Sequence, residues 1–366
     1  MKMKLNLTAA LISVALLGGS IIPGAAYSGP FLKANGVSTP QDADDYYATI
    51  DPLNERLTQA AWREVNGFNA TGSNGPNEIV VVGGHKNVSD LGFWRRIEMV
   101  IDKRWGKRRN VAFTTYNFES AADTTDVTKA KSIVNMEYSP GPNGDRITKF
   151  YVYHPDDGSA NAGKRKTYAS FDPDPNTAEN LYLPNGCAAC HGGGEDFRAH
   201  SGKTDGGFLA FDFRVFEYED PLTHETSGET RAANEVNVKK LNQGVLMTDP
   251  PSAVKNLIYG LYGGKSLPLA TQNSDYMPSD WATEPALWKV VVTDCLGCHT
   301  LSESSVLSLN YWKLHVGSLR EQIFEYQLMP NSPYANRRFW NTDPNQLPTT
   351  PAHSEIVRDA LQRFRP

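Results

Sequence analysis

All four cysteines of this 366-residue chain fall into two copies of one pattern, Cys187-Ala188-Ala189-Cys190-His191 and Cys295-Leu296-Gly297-Cys298-His299. Two thiols three residues apart can each form a thioether to one vinyl group of a haem. The histidine that follows is then held against the iron as an axial ligand. A covalent tether keeps the group bound in either oxidation state. The spacing therefore predicts two haem c groups, attached through Cys187 and Cys190 and through Cys295 and Cys298. His191 and His299 are the expected iron ligands.

Two other chemistries use paired cysteines. A zinc ribbon would also take two Cys-x-x-Cys knuckles, but usually about 15–20 residues apart. Here more than a hundred residues intervene. Zinc also gives no reason for a histidine directly after each pair. A thioredoxin-like disulfide would need one motif at a helix start after a strand, not two copies with histidines.

The second axial position of each iron decides whether electron transfer or ligand chemistry is favoured. For the second haem the expected ligand is Met329, in Leu328-Met329-Pro330, with His315 as the competing residue. Met277, in Tyr276-Met277-Pro278, ranks first for the first haem because it shares the Met-Pro context. Met247, His200, His224 and Met99 are the other candidates there, and that site could also lack a protein ligand. Gly192-Gly193-Gly194 behind the first motif allows close backbone approach.

On these residues the chain resembles the c-type cytochromes. Residues 284–366 are similar to a class I cytochrome c in local order: an apolar stretch leading into Cys295, a helix-like segment at 316–328, Met329-Pro330 and a last helix near 351–364. The resemblance implies haem attachment on the outer side of the cytoplasmic membrane. Asp90-Leu91-Gly92-Phe93, Met136-Glu137-Tyr138-Ser139, the aromatic run 208–216, Tyr262-Gly263-Gly264 and both haem motifs together are similar to a group of large exported bacterial dihaem proteins. That resemblance spans roughly residues 90–340 and implies no substrate.

An independent feature agrees with export. Lys2 and Lys4 precede an apolar run strongest at 11–22, and Pro23-Gly24-Ala25-Ala26 offers a cleavage site. Residues 1–26 thus read as a signal peptide, whose loss takes the formal charge from −5 to −7. No later stretch is apolar for long enough to span a bilayer, so the expectation is a periplasmic or otherwise exported protein, not integral to a membrane. The acidic balance argues against nucleic acid. The expected partners are redox proteins. No phosphate loop, dinucleotide fingerprint, nucleophile elbow or zinc-protease motif occurs.

The elements that position the motifs divide the chain into a β-rich domain at 27–181, a first haem region at 182–283 and a cytochrome c-like domain at 284–366. The fold class is α+β. Strand-like runs occur at 78–82, 110–118, 132–138 and 147–153, the last two joined as an antiparallel hairpin through Ser139-Pro140-Gly141-Pro142-Asn143-Gly144-Asp145. Helices are expected from Asp51-Pro52, with Leu53, Leu57, Ala60 and Ala61 on one face, and at 231–242 and 252–261. The aromatic stretch 207–218 is either a wall of the first haem or a core strand. Basic residues at 103–109 form either a solvated loop or a docking patch for an acidic partner. The composite reading is a dihaem electron carrier. The alternatives are a haem oxidoreductase with one open iron, as in dihaem peroxidases, and a docking protein whose β-rich region binds a partner.

Overall fold

The computed structural model describes residues 39–72, 75–105, 110–169, 180–192, 197–301, 307–327, 329–330, 332–342 and 348–364. The apolar leader lies outside them. So do residues 106–109 of the basic cluster.

Strand-forming sequence dominates the first half. β1 (Ile79–Asn87), β2 (Trp94–Asp102), β3 (Asn110–Phe118), β4 (Ser132–Pro140) and β5 (Arg146–Tyr153) run as an antiparallel meander. Two short strands complete the sheet, β6 (Arg165–Lys166) beside β5 and β7 (Phe216–Glu217) beside β1. The order is β7-β1-β2-β3-β4-β5-β6, and every neighbouring pair is antiparallel. The expected hairpin is present, with Pro140 opposite Arg146.

Register separates the two faces chemically. Met99, Phe113, Met136 and Phe150 stand side by side on one face, and Ile97, Thr115, Val134 and Val152 form the next row. On the other face Glu98, Thr114, Asn135 and Tyr151 align across four strands, followed by Glu137 beside Lys149. The period of two sends alternate residues to opposite sides.

The polar face is covered by α1 (Pro40–Ile50) and α2 (Gln59–Val65). Thr58 starts α2 by accepting from the Ala61 N–H. Arg63 reaches Glu98 at 2.9 Å, and Gln59 donates to the Tyr116 hydroxyl at 3.0 Å. At the centre, the fully buried Glu137 carboxylate accepts from Arg56 Nε at 3.1 Å, Asn66 Nδ2 at 2.6 Å and Ser139 Oγ at 2.7 Å. Burial alone would raise its pKa, but Arg56 and Lys149, with the hydrogen bonds, hold it below the ordinary carboxylate value.

Side chains close the sheet's margins. On β5, Phe150 N donates to the Tyr46 hydroxyl at 3.0 Å and Val152 N to the Tyr47 hydroxyl at 3.3 Å, both from α1. On β1, the Val81 and Gly84 carbonyls accept from Asn237 Nδ2 and Ser227 Oγ, each at 2.9 Å. His85 sits at a bulge in β1, fully buried and stacked 4.2 Å from the Phe216 ring. Neither of its ring nitrogens has a hydrogen-bond partner among the described residues.

The second half is helical. α3 (Asn185–His191) is followed by α4 (Arg231–Leu246), α5 (Ser252–Leu261), α6 (Pro285–Asp294) and α7 (Leu296–His299). Then come α8 (Leu309–Leu314), α9 (Val316–Arg320), α10 (Pro333–Trp340) and α11 (His353–Arg363). The amphipathic pattern of 252–261 matches α5, which buries Val254, Leu257, Ile258 and Leu261. α4 packs Gly244 against the Met99 sulfur, so it lies on the apolar face of the sheet. One continuous hydrophobic core runs from Ala43 to Leu361. A large antiparallel sheet with helices makes the fold α+β. No helix of the described residues is long and apolar enough to cross a membrane.

Three local expectations are corrected. No helix starts at Asp51: α1 ends at Ile50, and the next helix begins at Gln59. The Asp51 carboxylate is taken instead by Arg56 and Arg165, at 3.2 and 2.7 Å, and Leu53 is 78% exposed. Residues 94–102, outside the expected strand-like runs, form the strand β2. The helix-like segment at 316–328 is a five-residue helix, α9, that loosens into a wider turn at 321–325.

Candidate functional site

α3 carries the first Cys-x-x-Cys-His motif. α7 carries the second, directly after α6. Glycine inside the second motif sets how closely it sits on the sheet: a Cβ at Gly297 would lie 2.8 Å from the Ser89 carbonyl oxygen in the turn after β1. The two motif helices pack on each other, and the Cys298 thiol lies 3.5 Å from Cys190 Sγ across 108 residues of sequence. A disulfide would hold the sulfurs near 2.05 Å. All four cysteines are free thiols.

Three of the thiols are set against ionisation. Burial pushes the Cys187 thiol up to about 12. Burial likewise raises Cys295, and the hydrogen bond to Cys190 followed by burial raises Cys298. A redox-active dithiol requires the opposite shift. An uncharged thioether has no such penalty in these surroundings. Among the described residues, no three of His, Cys, Asp and Glu converge as a metal cage would require.

His191 is oriented for ligation. Its Nδ1 lies 3.0 Å from the Gly207 carbonyl oxygen. A carbonyl only accepts, so Nδ1 carries the proton and Nε2 keeps its lone pair. Burial lowers the pKa of the ring, which keeps it neutral. A backbone acceptor on the far nitrogen is the usual way a ligating imidazole is fixed. Burial also lowers the pKa of His299, whose backbone N–H donates to the Cys295 carbonyl at 3.1 Å.

Between the motifs and the sheet lies a cavity of about 200 Å³. Cys187, Cys190, His191 and Cys298 form one side of it; Ile97, Phe113 and Met136 face them from the sheet. Phe208 and Phe211, from the aromatic stretch expected to form a wall or a strand, line it as well. Their rings lie 5.1 and 5.6 Å from Phe113. The arginine of the wall is Arg95, held by Asp90 at 2.7 Å and by Asn117 Oδ1 at 3.1 Å.

These residues fit a covalently held haem at the first motif. Paired thiols, an imidazole with a free Nε2, aromatic walls and an arginine able to meet a carboxylate substituent border one space. At the second motif, Asp294 just before Cys295 is gripped by Arg338 of α10 and by His353 Nδ1 of α11 at 2.5 Å. This clamp fixes the end of α6 against the last helix.

The proposed distal residues are more scattered. Met277 and Met329 are half-buried against the core, and neither borders the cavity. His315 stacks on Tyr311 at 4.1 Å, and its Nδ1 meets the Tyr311 carbonyl. His224 bonds Glu219 at the surface, His200 is exposed and Met247 is 41% exposed. Met99 is buried, its sulfur turned to Gly244. Sequence reasoning did not single out Met136 or Arg95 as site residues. The available signal was period two in β4, which puts Ser132, Val134 and Met136 on one face, but that face gains meaning only once the motif helices are seen to cover it.

Comparison of the chain with protein-family models, curated proteins and solved structures finds no match.

Proposed function

We propose that this chain is an exported dihaem c-type cytochrome that relays electrons between redox partner proteins. The observation that carries the reading is the meeting of two identical motifs, distant in sequence, with sulfurs 3.5 Å apart. Independent mini-sites would have no reason to lie so close; a relay is favoured by it.

Cys187 and Cys190 hold one haem and Cys295 and Cys298 the other, with His191 and His299 as iron ligands. Haem supplies one-electron chemistry at its iron. The chain's own residues set the conditions for it. Gly207 fixes the His191 tautomer. Phe113, Phe208 and Phe211 keep water from the first site. Arg95, on the cavity wall, would supply the cation for a carboxylate substituent. The order of α6, second motif and α11, with α11 packed on α6 through the His353–Asp294 contact, supports a cytochrome c-like C-terminal region, where Met329 is the distal ligand proposed for the second haem. The leader at 1–26 supports export and a periplasmic site of action.

The test is a haem stain of the denatured, exported protein together with its reduced visible spectrum. Covalent haem at two per chain is expected. Its absence from matured protein overturns the proposal. If carbon monoxide binds about half of the reduced haem, one iron is open and an oxidoreductase replaces the relay.

A further inference from the structure

We propose that Met136, on the central sheet, is the distal iron ligand of the first haem, an assignment that rests on the dihaem reading above. Among the described residues bordering the cavity, Met136 carries the only soft donor besides His191 and the three cysteines that line it. Thioether sulfur is an established axial ligand that favours electron transfer over ligand binding.

The sheet brings Met136 and His191 to one place. Phe150 is the cross-strand neighbour of Met136 in β5, and its ring lies 5.7 Å from that of His191. On the other side, Met136 pairs with Phe113, whose ring packs on Phe208 and Phe211. The Met136 side chain therefore borders the cavity with an aromatic neighbour on each adjacent strand, on the side facing the motif helix. The other wall donors are hard or already engaged: Asp90 holds Arg95, and Asp212 holds Arg214. Position on a rigid strand, flanked on both sides, fixes the ligand better than a loop would.

The mature exported chain is compared with Met136→Leu, Met136→His and Met277→Leu. Leucine conserves volume, so the core is retained. In Met136→Leu, half of the haem is expected to pass from low to high spin in the ferric optical and electron paramagnetic resonance spectra. One more haem per chain should then bind carbon monoxide than in the parent. Met136→His is expected to restore the low-spin form with a lowered reduction potential, and Met277→Leu to leave the spectra unchanged. Unchanged spectra in Met136→Leu overturn the assignment, as does the spin change appearing in Met277→Leu instead. A parent protein without covalent haem overturns the dihaem reading itself and is recognised before any variant is compared.

Discussion

Cys190 Sγ and Cys298 Sγ lie 3.5 Å apart, on two helices separated by more than a hundred residues of sequence. In the proposed dihaem form each sulfur would be the attachment point for the edge of a macrocycle. Groups held at these two positions would be close neighbours, and the one-electron chemistry they supply could pass between them without a long protein path.

This contact predicts electronic coupling between the chromophores. The circular dichroism of the Soret band should show a two-signed couplet in the parent protein. Replacing Cys187 and Cys190 together by alanine, or Cys295 and Cys298 together, should halve the covalent haem and abolish the couplet. Two independent single-signed bands in the parent would rule out the contact.

Gly297 controls the seating of the second motif. Its Cβ position lies 2.8 Å from backbone, and backbone yields less readily than a side-chain tip. Gly297→Ala should destabilise the fold by about 1–3 kcal/mol, the usual cost of forcing atoms into a packed site. Denaturant unfolding measures this, and the Soret couplet should weaken in parallel.

Glu137 is a buried anion between two buried cations. Glu137→Leu leaves Arg56 and Lys149 without their shared counter-charge, with side chains only 11% and 3% exposed. Loss of one partner from such a pair costs about 3–5 kcal/mol. Thermal unfolding should show the drop, and a neutral outcome would mean that water enters the network.

His85 makes stability depend on acidity. Burial, followed by the nearby charge of Arg95, lowers its pKa from 6.5 to about 3. The ring is neutral when folded, whereas the unfolded chain takes up a proton below pH 6.5. The stability it contributes is complete above that value and is lost progressively as pH falls toward 3, at up to about 1.4 kcal/mol per pH unit. His85→Leu should lose less melting temperature between pH 8 and pH 4.5 than the parent. An equal loss in both would show that His85 is protonated in the folded state.

Much of the sheet was legible in sequence, because β-branched and aromatic residues crowd 110–118 and 147–153. β2 was not. Arg95, Arg96 and Glu98 gave it a surface character, yet each is satisfied by a partner: Asp90 for Arg95, and Glu98 for both Arg96 and Arg63. Asp51-Pro52 failed in a similar way. The local signal for a helix start was sound, but Arg56 and Arg165 recruited the carboxylate. The two Cys-x-x-Cys-His motifs were legible because their pattern is local in sequence. Their convergence was not, since nothing in linear spacing reveals that α3 and α7 pack together.

The margins of the sheet carry a separate consequence. Its outermost strands, β6 and β7, are two residues long, and hydroxyls of Tyr46 and Tyr47 and the amide of Asn237 occupy backbone groups that these strands leave open. Unpaired strand edges are templates on which further copies of a chain add and fibres grow. Here both margins of the five long strands are partly covered, by a two-residue strand and by side chains from α1 on one side and α4 on the other, which narrows the edge on which a second copy could add among the described residues.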